Sequence, residues 1–264
     1  IGTTHLSIDQ SQEKLLRKYA QVAVKIGVNL QRGQNLLVDA EPVHYDFVQI
    51  LAEEAYKSGA RLVEYRATTP ELLTKRVTYG EDTHLDYGSN IASDNCNTIL
   101  DEDWALLALV GDPLRYNGAA PQKLSRVWAS NGEQGRFIID RNTLFKAMTR
   151  KKIQSSIIAA ASPRWAAQVL GGDANSAIEK RLWRKLAPIL RLDKPDPVAA
   201  WQVHCSDIRR RCQLLDEKGF SRLYFEGDGT DLWITPMKTR KWGSAVWTSP
   251  KGICLLYTSD AADE

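Results

Sequence analysis

Four histidines, His5, His44, His84 and His204, and four cysteines, Cys96, Cys205, Cys212 and Cys254, are the side chains best suited to hold a metal or attack a substrate. Their spacing favours neither role. No histidine pairs with another histidine or a cysteine at the short intervals that put two ligands on one metal, and no HExxH occurs. Each is expected at the surface or in packing. His204 directly precedes Cys205, and successive helical residues point apart. The cysteines form no CxxC, and Cys205 and Cys212 share a helix face at a separation too long to bridge. Free thiols in a reducing compartment are expected. Asp39 and Glu41 stand where an apolar run ends, a place where acids either act on a ligand or cap the next helix. Capping is the expected role. Asp228 and Asp231 flank Gly229 in a tight turn, where Asp serves the backbone. No Walker A loop and no GxSxG elbow is present, and Val38 to Pro42 lacks the glycines of a dinucleotide phosphate loop.

The elements that would position these groups are clearer than the groups themselves. Leu15, Leu16, Tyr19, Val22, Ala23 and Ile26 recur at helical spacing, with Gly27 as a stop. Asn35 to Ala40 is an apolar run of strand length. Pro42 opens a second helix that closes at Lys57-Ser58-Gly59. Arg61 to Arg66 is a second strand, and Thr69-Pro70 predicts an N-cap with proline at the first helical position. Trp104 to Val110 predicts a buried strand ended by Gly111-Asp112-Pro113. Ile153 to Ala161 predicts another, with a helix starting at Ser162-Pro163. Strand and helix in alternation give an α/β fold with a mainly parallel sheet flanked by helices. Helices are expected from about Asn175 to Leu190 and from about Asp196 to Lys218, joined by the proline-rich turn Leu192 to Pro197. After Gly219 the period changes to two. Leu223 to Glu226, Gly227-Asp228-Gly229 and Thr230 to Ile234 predict a β-hairpin, and Ser244 to Thr248 a further strand.

Composition excludes several classes. The 264 residues carry 35 basic and 32 acidic side chains, a net +3, so no electrostatic case for nucleic acid or a membrane surface arises. Arg150-Lys151-Lys152 and Arg209-Arg210-Arg211 are short enough to be solvated faces. Eight tryptophans are scattered, which suits packing better than a platform for bases. No apolar run has the length to span a bilayer, and no signal peptide opens the chain, which begins at Ile1.

Leu16 to Gln31, Gly33 to Val38 and Leu51 to Ala60 are similar to the opening helix, strand and second helix of the thermophilic aminopeptidases, a family of dinuclear metallopeptidases (M29 type). Asp196 to Trp201 resembles a stretch near the end of that family's first domain. Gly229 to Leu232 and Thr248 to Ile253 resemble the entry to its second. The order and spacing of these segments carry the resemblance more than any one of them. It implies a cytoplasmic, homodimeric exopeptidase that removes N-terminal residues from peptides. Two divalent metals, zinc or cobalt, would lower the pKa of a bridging water and polarise the scissile carbonyl. The family's glutamate, histidine and aspartate ligands and its assisting tyrosine fall downstream of Ile253. No catalytic or metal residue is therefore assigned, and none of these ions is expected to bind the residues present.

Cys254 to Glu264 departs from the resemblance, and these residues can be encoded by read-through of a widely used transposase sequencing adapter. The expected organisation is an α/β domain at residues 1–219, the truncated start of a β-rich catalytic domain at 220–253, and an exposed, weakly packed tail at 254–264 in which Leu255 to Tyr257 at most pairs as a strand. The competing reading is a non-catalytic α/β module that binds a peptide or small ligand. A nucleotide-dependent enzyme rests on fold analogy alone.

Overall fold

The computed structural model describes residues 8–67, 69–87, 98–111, 118–130, 153–244, 246–249 and 254–256. His5, Cys96, Arg150 to Lys152 and residues 257–264 lie outside the described residues, as do the side chains of Cys254 to Leu256.

Four parallel strands form the central sheet. They are β1 (Asn35–Ala40), β2 (Leu62–Ala67), β3 (Ala105–Val110) and β4 (Ser155–Ala159), in the order β2-β1-β3-β4. Every residue of β1 is buried, whereas the edge strand β2 is largely exposed or half-buried. That contrast is what a central and an edge strand of a parallel sheet require. Strand pleating sends Leu36, Val38 and Ala40 into one core and Leu37 into a second, so apolar groups cover both faces.

Helix α1 (Gln10–Val22) begins where Asp9 accepts a hydrogen bond from the Gln12 amide at 2.8 Å. The sequence predicts an unbroken helix to Ile26. Instead the hydrogen bonding widens into a π-turn over Ala23–Gly27, and Gly27 meets β4, where a Cβ would stand 3.4 Å from Ser156 Oγ. A 3-10 turn at Pro42–His44 precedes α2 (Tyr45–Lys57), and α3 (Pro70–Tyr79) packs with α4 (Pro121–Ser130) around Leu73, Val77, Leu85, Leu124 and Val127. Thr69 holds the N-cap position of α3 but makes no side-chain cap hydrogen bond, since its backbone leaves the extended region that aims the hydroxyl at the helix.

Helix α5 (Pro163–Leu170) is capped by Ser162, whose Oγ accepts from the Trp165 amide at 3.1 Å. Asn175 caps α6 (Ser176–Ile189), and Asp196 caps α7 (Pro197–Lys218), which ends at the left-handed Gly219. Tyr19, Phe47 and Trp183 join α1, α2 and α6 through ring contacts of 5.5 to 6.1 Å. Tyr19 also donates to the Ala159 carbonyl at 2.9 Å, tying this cluster to β4.

The hairpin β5 (Leu223–Gly227) and β6 (Thr230–Ile234) turns at Asp228-Gly229. A positive φ of 77° at Gly229 matches the tight-turn geometry. A third small sheet pairs β7 (Val246–Thr248) with β8 (Cys254–Leu256). Leu255 and Leu256 of the expected Leu255 to Tyr257 pairing lie in this strand, and Tyr257 lies outside the described residues. Val246 is buried in the main core.

Candidate functional site

Open parallel sheets take ligands at the carboxyl ends of their strands, where the chain order reverses. Here that point lies between β1 and β3, because β2 follows β1 on one side and β3 lies on the other. Asp39, Glu41 and His44 come from the end of β1, Gly111 from the end of β3, and Ser162 from the segment after β4.

Asp39 and Arg66 are register partners on β1 and β2, and Asp39 Oδ2 accepts from Arg66 Nη2 at 2.9 Å. Their side chains retain 7% and 15% exposure. Asp39 therefore locks the edge strand rather than capping the next helix. Glu41 occupies the cap position of the 3-10 turn and is buried, but its side chain makes no cap hydrogen bond. The capping role expected of this pair is corrected on both counts. The parallel register brings Arg66 opposite Asp39, and the turn after Glu41 is too short and tight to receive its carboxylate. Tyr65 lies beside them, its hydroxyl donating to the Ala40 carbonyl at 3.4 Å. Burial, with the neighbouring Asp39 charge, pushes the Tyr65 phenol above its ordinary range.

Gly111 is the tightest point. A Cβ there would lie 1.7 Å from the Ala160 carbonyl oxygen and 3.5 Å from His44 Nε2. Ser162 Oγ donates to the Gly111 carbonyl at 3.1 Å. The end of β3 and the segment after β4 are thereby drawn together by backbone contact, with the His44 side chain from after β1 beside them. These contacts pack and lock the strand ends.

The other histidines stand elsewhere. His84 is exposed, 3.8 Å from Glu81. His204 lies on α7 at 5.4 Å from the Trp201 ring, and burial, then the nearby Arg191 charge, lowers its pKa. Cys205 is buried and Cys212 half-buried, both as free thiols. Asp228 and Asp231 are exposed on the hairpin, and Arg209, Arg210 and Arg211 are exposed on α7. Among the described residues, no group of three or more His, Cys, Asp or Glu side chains is placed to hold a metal ion. These residues do not fit a metal pair, and no catalytic step is derived through one. No helix among them is long and apolar enough to cross a membrane. Two features escaped sequence reasoning: the Arg66 partner, visible only once strand register is known, and a basic cleft between α1 and α6, which needs the helix packing.

The chain is similar to aminopeptidase T of Thermus aquaticus, 32% identical over 238 residues that span 90% of this chain and 57% of that protein. Aminopeptidase T of Thermus thermophilus is 30% identical over 90% of this chain and 58% of its own length. The solved structure titled wild-type AmpT from Thermus thermophilus superposes with a TM-score of 0.80 at 28% identity, covering 92% of this chain and 58% of that one. The chain thus spans a little under three fifths of the length of the relatives it matches. The model of the thermophilic metalloprotease family (M29) matches residues 12–256, ending within β8. With that match over nearly the whole chain and the shared fold, the chain belongs to the thermophilic metalloprotease family M29.

Proposed function

We propose that this chain is the N-terminal part of a metal-dependent aminopeptidase that removes N-terminal residues from peptides. The observation that carries the reading is the family match over residues 12–256. In this reading residues 1–219 form the scaffold domain and 220–253 begin the catalytic domain. The ligands for two zinc or cobalt ions fall beyond Ile253, and the foreign tail begins beyond the family match, after Leu256. The full-length protein is a cytoplasmic homodimer, and the 264-residue chain alone is inactive.

The hairpin supports this organisation. Leu223, Phe225, Leu232 and Ile234 share one face by register, and the last three are exposed. Two strands with an open apolar face do not make a stable unit in water. They suit the first ribbon of a larger β structure.

The test compares the 264-residue chain with the full open reading frame recovered from intact genomic template. Each is incubated with amino-acid amides in the presence of cobalt or zinc. The reading expects metal-dependent release of ammonia from the longer protein and none from the 264-residue chain. Turnover by the pure short chain overturns the placement of the site, and inactivity of the longer one overturns the enzyme assignment.

A further inference from the structure

Helix α1 is clamped to α6 at one point and to the turn that follows α6 at another. Lys180 Nζ pairs with Asp9 Oδ2 at 2.9 Å at the start of α1. Further along, Lys18 Nζ donates to the Leu192 carbonyl at 3.0 Å and the Lys194 carbonyl at 2.8 Å. Between the clamps the helices enclose a cleft of about 290 Å³. Its floor is apolar, built from Leu15, Trp183, Ala187 and Leu192. Trp183 is held rigid by its ring contacts with Tyr19 and Phe47 and by its Nε1 donation to Glu179 at 3.3 Å.

The charges on the walls are one-sided. Lys14, Lys18, Lys180 and Arg184 line the cleft against the single carboxylate of Asp9, which Lys180 already engages. Lys18 is committed to backbone carbonyls. Lys14 and Arg184 stand exposed at the mouth and make no ion pair with the described residues. The side-chain amide of Gln12, a buried residue of the wall, makes no hydrogen bond with them either. An apolar floor beneath a few convergent polar groups is the pattern of small-ligand sites, and this volume sits at the lower end of their range.

We propose that this cleft binds a small amphipathic carboxylate: an apolar body of amino-acid size against Leu15, Trp183 and Leu192, with its carboxylate between Lys14 and Arg184. Arginine offers a forked pair of donors to a carboxylate and lysine a point charge, so the mouth selects for the anion. The floor selects for the apolar body. Any compound combining the two suffices, and a free amino group is not required because Asp9 is already paired. The assignment is independent of the peptidase reading and stands or falls without it.

The test titrates the 264-residue chain, without added metal, by calorimetry at constant ionic strength. N-acetyl-L-leucine carries both features, leucinamide lacks the carboxylate, and acetate lacks the apolar body. N-acetyl-L-leucine is expected to saturate one site near millimolar concentration, with leucinamide and acetate at least about tenfold weaker. Lys14→Glu combined with Arg184→Glu should weaken N-acetyl-L-leucine by about tenfold or more with an unchanged urea midpoint, since both side chains are exposed. Ala187→Phe, which fills the floor, should block binding independently of charge. Absence of saturable binding overturns the proposal. So does equal binding of acetate, which marks a general anion surface, or of leucinamide, which marks a greasy cleft. Wild-type affinity in either variant overturns it as well.

Discussion

Replacing Gly111 by alanine tests whether the carboxyl edge of the sheet is closed by backbone contact. The added Cβ would stand 1.7 Å from the Ala160 carbonyl oxygen. A carbon and a carbonyl oxygen do not approach closer than about 3.3 Å without repulsion, so β3 and the segment after β4 must part by about 1.6 Å. Two hydrogen bonds bridge that seam. The Ala160 amide donates to the Val110 carbonyl at 2.8 Å, and Ser162 Oγ donates to the Gly111 carbonyl at 3.1 Å. Neither survives such a separation. Each leaves a buried group unsatisfied at a cost of about 1–3 kcal/mol, and Ser162 also caps α5, so the total is about 3–5 kcal/mol.

Gly33→Ala is the control. Its φ is +77° and nothing lies within 4 Å of the added carbon. It should cost only the left-handed strain, about 1–2 kcal/mol. Urea unfolding followed by far-ultraviolet circular dichroism separates the two. At a slope of about 2–3 kcal/mol/M, Gly111→Ala lowers the midpoint by about 1–2.5 M, and Gly33→Ala lowers it by about 0.3–1 M. A Gly111→Ala midpoint equal to that of the control would show that the seam yields without losing its hydrogen bonds, and the account of a closed edge would fail.

Three further outcomes follow from the same geometry. Arg66→Ala should cost about 3 kcal/mol in urea unfolding, because it removes the cation paired with the buried Asp39 carboxylate, and Asp39→Ala added to it should recover part of that loss; an Arg66→Ala cost below about 0.5 kcal/mol would place the pair among surface bridges. Burial raises the Glu179 pKa above its ordinary 4.5, so its contribution to stability is lost as pH rises from about that value through the folded pKa. Glu179→Gln, which keeps an acceptor for Trp183 Nε1, should therefore gain on the wild type as pH rises from 4 to 7, and a constant difference across parallel unfolding curves would contradict the burial argument. Phe225→Ser with Leu232→Ser removes exposed apolar surface from the hairpin and should cut light scattering of the 264-residue chain on concentration, with stability changed by less than about 0.5 kcal/mol; undiminished scattering would assign self-association to another surface.

The elements were legible where one local rule decided them. β1 is read at its observed bounds because six consecutive residues suit a strand buried on both faces. Ser162, Asn175 and Asp196 cap their helices as their types suggest, and Gly219 ends α7 with a φ of 60°. The π-turn at Ala23–Gly27 was not legible, since the apolar spacing of α1 continues through it. Its outcome is set by the approach of Gly27 to Ser156, a contact between positions far apart in the chain. Asp39 shows the same limit. An acid at a strand end has two local uses, and the choice between them was made by Arg66, which the register sets opposite it.

The candidate site was less legible because its defining contacts join residues far apart in the chain. In an open α/β sheet the reversal between neighbouring strands leaves a crevice at their carboxyl ends, and ligands settle there. Beside that reversal, Gly111 at the end of β3 lets the Ala160 carbonyl after β4 fill the position its own side chain would occupy, and Ser162 ties these two chain segments. Asp39 and Arg66 close the other side with a pair too buried to serve as a mobile acid or base. These contacts lock β3 to the segment after β4, and β1 to β2, at the described part of the sheet edge. Among the described residues, two surfaces away from it are open: the basic cleft between α1 and α6, and the apolar face of the hairpin after α7. In the proposed reading this part of the chain serves as a frame, and the chemistry is expected from groups beyond Ile253 rather than from the sheet edge itself.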